Sequence, residues 1–170
     1  MGVDHDEEDF TRWARERQLA LLRTAVLLTG DRHRAEDLVQ EALAAVAARW
    51  RRLEGGHPEA YARQVLVRRN ISWWRKHRRE VVREVDDAER VTRDPTAASD
   101  RRLALDRALT GLTPKQRAVV VLRYYEDLPE REVAEVLGVS AGTVKSQTHA
   151  ALGRLRTAAP ELADLLGDLR

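Results

Sequence analysis

Residues 32–50 carry the pattern that most restricts the fold. Ala35, Leu38, Val39, Ala42, Leu43, Val46 and Trp50 recur at i, i+3, i+4, i+7 spacing. Such a series puts one apolar stripe on one side of a helix, and that stripe has to be buried. Helical periodicity also dominates the rest of the chain. No segment alternates as a strand would, and Gly and Pro fall between the periodic stretches. The expected fold class is all-α.

The punctuation divides the chain further. A first helix is expected from about Asp9 to Leu28, with Phe10, Trp13, Ala20, Leu21 and Leu27 on its inner side. Thr29-Gly30 ends it, because glycine takes the left-handed position past a helix without steric penalty. Asp31 offers an N-cap for a helix over 32–50. Gly55-Gly56 breaks the chain, and Pro58 suits the first turn of a third helix through about Arg79. Residues 80–98 lose the pattern, are highly charged and contain Asp94-Pro95, which reads as a linker. Helical spacing resumes at Leu103, Leu105, Ala108 and Leu109 and stops at Gly111. Thr113-Pro114-Lys115-Gln116 is a capping box with proline at the first position. Two small helical domains are therefore expected, 1–82 and 100–170, joined by a charged linker over 83–99.

The second half contains LPEREVAEVLGVSAGTVKSQTHAALGRLR, residues 128–156, which reads as helix-turn-helix. Val133, Ala134 and Leu137 are expected inside, Gly138 at the turn, and Val139 in the angle between the helices. Ser140 caps the next helix, whose inner side is Val144, Thr148, Ala151, Leu152 and Leu155. Its other side shows Thr143, Lys145, Ser146 and His149, groups suited to hydrogen bonding in a major groove. The same Gly turn and Ser cap also occur in ordinary helical hairpins.

Charge is sorted into blocks. Residues 4–9 are mostly acidic, 63–79 contain no Asp or Glu, and 80–100 turn acidic again, although the formal net charge is only +2. This arrangement points to a located anionic partner. Cysteine is absent, which removes disulfides and thiolate zinc sites. The five histidines show no ligand spacing, and no nucleophile motif or glycine-rich phosphate loop occurs. Neither an enzyme nor a metal or cofactor is expected. No apolar run approaches the ~20 residues of a membrane span, and the acidic start has no apolar signal region. A cytoplasmic protein without membrane insertion is expected.

Together, DRHRAEDLVQEALAAV, PEAYARQVLVRRNISWWRKHRR and LTPKQRAVVVLRYYEDLPEREVAEVLGVSAGTVKS resemble the extracytoplasmic-function group of bacterial sigma factors. The resemblance covers about residues 10–158. It implies that the first half docks on core RNA polymerase at the β′ clamp helices and reads the promoter −10 element. It implies that the second half binds the −35 element and meets the polymerase β flap. Asp37, Gln40 and Glu41, on one polar face, match the docking surface. Asn70 matches a position that reads a −10 base. Arg63, Arg68, Arg69, Arg75, Lys76, Arg78 and Arg79 can neutralise phosphates. In the second half Arg123, Thr143, Lys145, Ser146 and His149 fall on the −35 side. Many members also have an anti-sigma protein covering these faces.

Some residues stay open. Aromatic rings can stack on unpaired bases, each worth ~1–3 kcal/mol. Adjacent helical residues stand about 100° apart, however, so Trp73 and Trp74 do not share a face. At least one is expected to pack on the first two helices. Many members have an acidic residue near Trp74, and basic residues where Gln147 and Ala150 stand here. The loop 51–57, RRLEGGH, lies where the group captures a flipped −10 base, yet its glycines equally suit a tight turn. The competing reading is a helix-turn-helix regulator acting alone on duplex DNA, which would need neither the docking face nor the basic helix.

Overall fold

A computed structural model describes residues 3–53, 55–84 and 100–160, the side chains of 3–4, 78–84 and 100–103 excepted. All the regular structure in them is helical: α1 (Val3–Thr29), α2 (Arg32–Ala47), α3 (Trp50–Leu53), α4 (Pro58–Glu84), α5 (Asp100–Thr110), α6 (Pro114–Val120), a π-helical turn (Val121–Tyr125), α7 (Glu130–Leu137) and α8 (Ala141–Ala158).

The boundaries follow local chemistry. Gly30 ends α1 at φ 74°, and the Asp31 carboxylate accepts from the Arg34 amide to start α2. Thr113 and Gln116 close the capping box of α6 in both directions, each side chain on the other's backbone amide. Gly138 turns between α7 and α8 at φ 66°, and the Ser140 hydroxyl caps α8 by accepting from the Thr143 amide.

Three boundaries differ from expectation. α1 begins at Val3, not near Asp9. Its first turns are held by Phe10 and Trp13, which pack on Trp50 at ring distances of 5.5 and 5.6 Å. The helix expected over 32–50 stops at Ala47, and Trp50 sits in the separate short α3. The helix opened by Thr113 passes into a π-helical turn, so that the Glu126 amide reaches back to the Val121 carbonyl at 3.0 Å. Of the expected linker, residues 83–84 close α4 and 85–99 lie outside the described residues.

The first half packs α1, α2 and α4 around Leu28, Leu38, Val39, Val46, Leu66 and Val67. The second half does not keep to itself. α5 and the later part of α8 form one small core with Leu109, Leu112, Leu152 and Leu155. Val119, Leu122, Val133, Val136 and Val144 instead belong to the core of the first half. α4 accordingly packs on both α6 and α7. Part of the apolar surface of the second half is thus buried against the helices of the first half.

Candidate polymerase and nucleic-acid interfaces

Three faces carry the residues singled out from the sequence. On α2, Asp37 and Gln40 are exposed side by side. Glu41, one turn along, is half-buried and shared. Its Oε1 stands 3.2 Å from Arg34 and its Oε2 3.1 Å from Arg69 of α4. Two polar groups are thus open to a partner, and the third already bridges two helices.

The basic face of α4 is divided. Arg75 and Lys76 are exposed and form no ion pair with a described residue. Arg78 and Arg79 continue the same helix, and their side chains lie outside the described residues. Arg69 is held by Glu41. Arg63 turns toward the second half, where its Nε and a terminal nitrogen each lie 3.0 Å from Glu126. Arg68 donates to the carbonyls of Val136 and Glu135 at 3.0 and 3.2 Å.

Asn70 is buried in this conformation. It is 1% exposed, and its Nδ2 donates to the Leu28 carbonyl at 3.2 Å. Its Oδ1 is buried without a partner. In this conformation no base can reach it. The amide here joins α4 to the end of α1.

Neither Trp73 nor Trp74 is fully buried. Trp73 lies between the Arg34 guanidinium, 5.1 Å from its centroid, and the His77 ring, stacked at 4.5 Å. Trp74 meets it edge-on at 5.3 Å. Trp73 thus reaches from α4 to Arg34 of α2, and both rings remain partly exposed. In the loop 51–57, Arg51 pairs with Asp6 of α1 at 2.6 Å.

The third face is the outer side of α8. Thr143, Lys145, Ser146 and His149 are exposed together on it. The Ser146 hydroxyl donates to the Thr143 carbonyl at 3.0 Å, and the Thr143 hydroxyl lies 2.9 Å from that of Ser140. Thr148 is half-buried and bonds the Val144 carbonyl. Arg123 is not on this face. It is a half-buried residue of the π-helical turn itself and donates to the Leu128 carbonyl at 2.6 Å, which makes it a brace of the turn before α7.

Sequence reasoning missed two groups, Arg117 and Glu126. Arg117 is 8% exposed and its Nε donates to the Leu27 carbonyl at the end of α1. Glu126 accepts from Thr24 of α1 as well as from Arg63. A signal for Arg117 existed: a charge in phase with the buried Val121 of the same apolar run.

Among the described residues no cluster of metal-ligating side chains occurs, and no helix is long and apolar enough to cross a membrane. The chemistry on offer is recognition: an exposed acid–amide pair, a basic helix flanked by aromatics, and a polar helix face presented by a helix-turn-helix.

Known proteins share this arrangement. The sigma-70 region 2 family matches residues 12–80, and the sigma-70 region 4 family matches residues 102–155. The chain is 44% identical over 150 residues to the RNA polymerase sigma-E factor of Streptomyces coelicolor, covering 87% of this chain and 84% of that protein. It is 37% identical over 161 residues to the ECF RNA polymerase sigma factor SigL of Mycobacterium tuberculosis, covering 86% of each. A solved structure, the sigma factor RpoE in complex with the anti-sigma factor NepR from Bartonella quintana, is similar at a TM-score of 0.70 and 26% identity, over 89% of this chain and 96% of that one.

Proposed function

The chain belongs to the sigma-70 family, as an ECF sigma factor that directs RNA polymerase to promoters, and from that premise we propose how its faces divide the work. Asp37 and Gln40, with Glu41 at their edge, meet the β′ clamp helices of core polymerase. Arg75 and Lys76, followed by Arg78 and Arg79, meet the backbone of the −10 segment, and Arg63 and Arg69 join them once released from Glu126 and Glu41. Thr143, Lys145, Ser146 and His149 enter the −35 major groove, and the second half also meets the β flap. The observation that carries this reading is the exposed polar face of α8 held by a Gly138 turn and a Ser140 cap, on the same chain as the exposed acid–amide pair of α2.

Sigma factors are generally non-enzymatic initiation factors, and this chain is proposed to have no catalysis of its own. It is proposed to work in the cytoplasm, where its polymerase and promoters are. An anti-sigma protein is proposed as a further partner, supported by the neighbour captured with NepR. A regulator acting on duplex DNA alone is not favoured, since region 2 matches across the first half.

The test is run-off transcription with core polymerase on promoters mapped after overexpression. Promoter-dependent initiation by the wild-type chain is expected. Replacing Asp37, Gln40 and Glu41 together with Ala should remove core binding while the helix stays folded, since alanine is the best helix former. Unchanged core binding would overturn the docking assignment.

A further inference from the structure

We propose that the first turns of α1, which precede the family match over residues 12–80, form a clasp on α3 in which Asp6 is a positioning residue for Arg51. Asp6 holds one edge of the Arg51 guanidinium, and the other edge is thereby presented to an oxygen of a nucleic-acid backbone. The proposal adds Arg51 to the cations of α4 as a phosphate contact. It deepens the sigma-factor reading and rests on it for the identity of the polyanion.

The clasp stands on an apolar anchor. Trp50, the first residue of α3, is 8% exposed. Phe10 of α1 meets its ring edge-on at 5.5 Å, and the Trp13 ring lies at 5.6 Å. Asp6 stands about one helical turn before Phe10, so both fall on the side of α1 that faces α3. The aromatic contact therefore fixes where the carboxylate stands. It fixes the guanidinium as well, because Arg51 follows Trp50 directly in α3.

At the pair itself, Arg51 Nε donates to an Asp6 carboxylate oxygen at 2.6 Å, as short as charge-assisted bonds run. The Arg51 side chain nonetheless stays 71% exposed, against 29% for Asp6. Its terminal nitrogens carry further N–H groups, set in a fixed fork that matches phosphate geometry, and these remain open to solvent. A long side chain gives up rotamer freedom when it grips an anion. A carboxylate that already holds the Nε edge lessens that loss. Acids in the first turns of a helix also suit its dipole. Glu8, exposed in the same turns, meets that need as well, whereas Asp6 reaches across to α3.

The surroundings favour a phosphate over a protein surface. Arg49, Arg51 and Arg52 are all exposed, and the apolar residue between them, Trp50, is buried. The patch therefore lacks the exposed apolar centre on which a protein interface is built. Asp6, Glu7, Arg49, Arg51 and Arg52 line one open cleft of about 750 Å³. At ~30 Å³ for each water, that leaves ample room for a backbone phosphate and its hydration beside Arg51.

The test uses the full chain bound to core polymerase and a short fluorescent single-stranded DNA of mixed sequence, titrated at several salt concentrations. Core binding is measured separately for every variant. Arg51→Gln should weaken DNA binding about tenfold, the order of one charged hydrogen bond, and lower the salt slope by about one phosphate's worth. Glu8→Gln reports what the loss of one negative charge in these turns does by itself. Asp6→Asn makes the same charge change, and should bind about threefold more weakly than Glu8→Gln, the order of the rotamer freedom of one long side chain. Asp6→Glu keeps the carboxylate and should bind as the wild type does. With Arg51→Gln already in place, Asp6→Asn and Glu8→Gln should act alike, because the effect of Asp6 passes through Arg51. The proposal is overturned if Asp6→Asn binds as well as Glu8→Gln. Tighter binding than Glu8→Gln would overturn it too, since the carboxylate would then compete with DNA for Arg51. An Asp6 effect that persists without Arg51, or a loss of helical circular dichroism in Asp6→Asn, would reduce Asp6 to a structural residue. If Arg51→Gln loses core binding while the DNA affinity of the assembled complex is unchanged, Arg51 is a polymerase contact and the proposal fails. Run-off transcription by the wild type with core polymerase decides the sigma-factor reading separately.

Discussion

The outer face of α8 and the basic face of α4 were both expected to meet DNA, and the structure treats them differently. On α8 the expected group stands together and exposed. On α4, Asn70 is buried, Arg63 and Arg68 are turned into the second half, and Arg69 is held by Glu41. The difference lies in how many elements each helix serves. α8 begins at local devices, the Gly138 turn and the Ser140 cap, and packs one side on α5, α6 and α7 while the other stays exposed. α4 packs on α1, α2, α6 and α7. A helix surrounded in this way has few directions left for solvent, so its polar groups are drawn into contacts between elements.

The largest expected effect tests whether α4 does join the halves. Leu122 is fully buried in the core that both halves share. Leu122→Ala should cost about 2–5 kcal/mol, the usual range for a large core residue cut to alanine. Urea unfolding should show one transition, followed equally by labels in either half. Two separated transitions would mean that the halves are independent and that the contrast between α4 and α8 has another origin.

Asn70→Ala comes next. It removes a buried donor from the Leu28 carbonyl and should destabilise the chain by about 1–3 kcal/mol. Its effect on open-complex formation should be uniform across promoters varied at each −10 position. A shift in base preference at one position would return Asn70 to the DNA face. The paired change Lys145→Ala and His149→Ala should leave the unfolding midpoint in place, because both side chains are exposed. It should weaken −35 duplex binding about tenfold and lower the salt slope by about one for each phosphate that is no longer neutralised. A fall in stability would mean that α8 is less independent than its exposed face suggests.

The legible parts of the sequence were those decided locally. Gly30, Asp31, Thr113, Gly138 and Ser140 each act on the backbone within a few residues, and their positions follow from residue type alone. The apolar phase of α2 was legible for the same reason. The burial of Asn70 was not, because an amide that binds a carbonyl of α1 and one that faces solvent look alike in a single helix. Arg123 falls beside the −35 residues by resemblance, and its bond to the Leu128 carbonyl starts from a π-helical turn, which leaves no periodic signature. The Arg63–Glu126 pair joins positions far apart in the chain, so no spacing could reveal it.

The smallest expected effect separates Glu41 from its neighbours. Asp37 and Gln40 are exposed, whereas Glu41 bridges Arg34 and Arg69. The pair with Arg69 is more than a third exposed on both sides, so it adds little to stability, and Glu41→Gln should change the unfolding free energy by no more than about 0.5–1 kcal/mol. The change should nonetheless be visible in binding. Arg69 loses its carboxylate and becomes available to a phosphate, which should steepen the salt dependence of single-stranded DNA binding by up to about one phosphate's worth. Asp37→Asn removes the same charge from α2 without touching Arg69. Any gain that both variants share reflects net charge, and the gain peculiar to Glu41→Gln measures how far α4 is restrained by α2. Equal gains would show that Arg69 already reaches the backbone past Glu41.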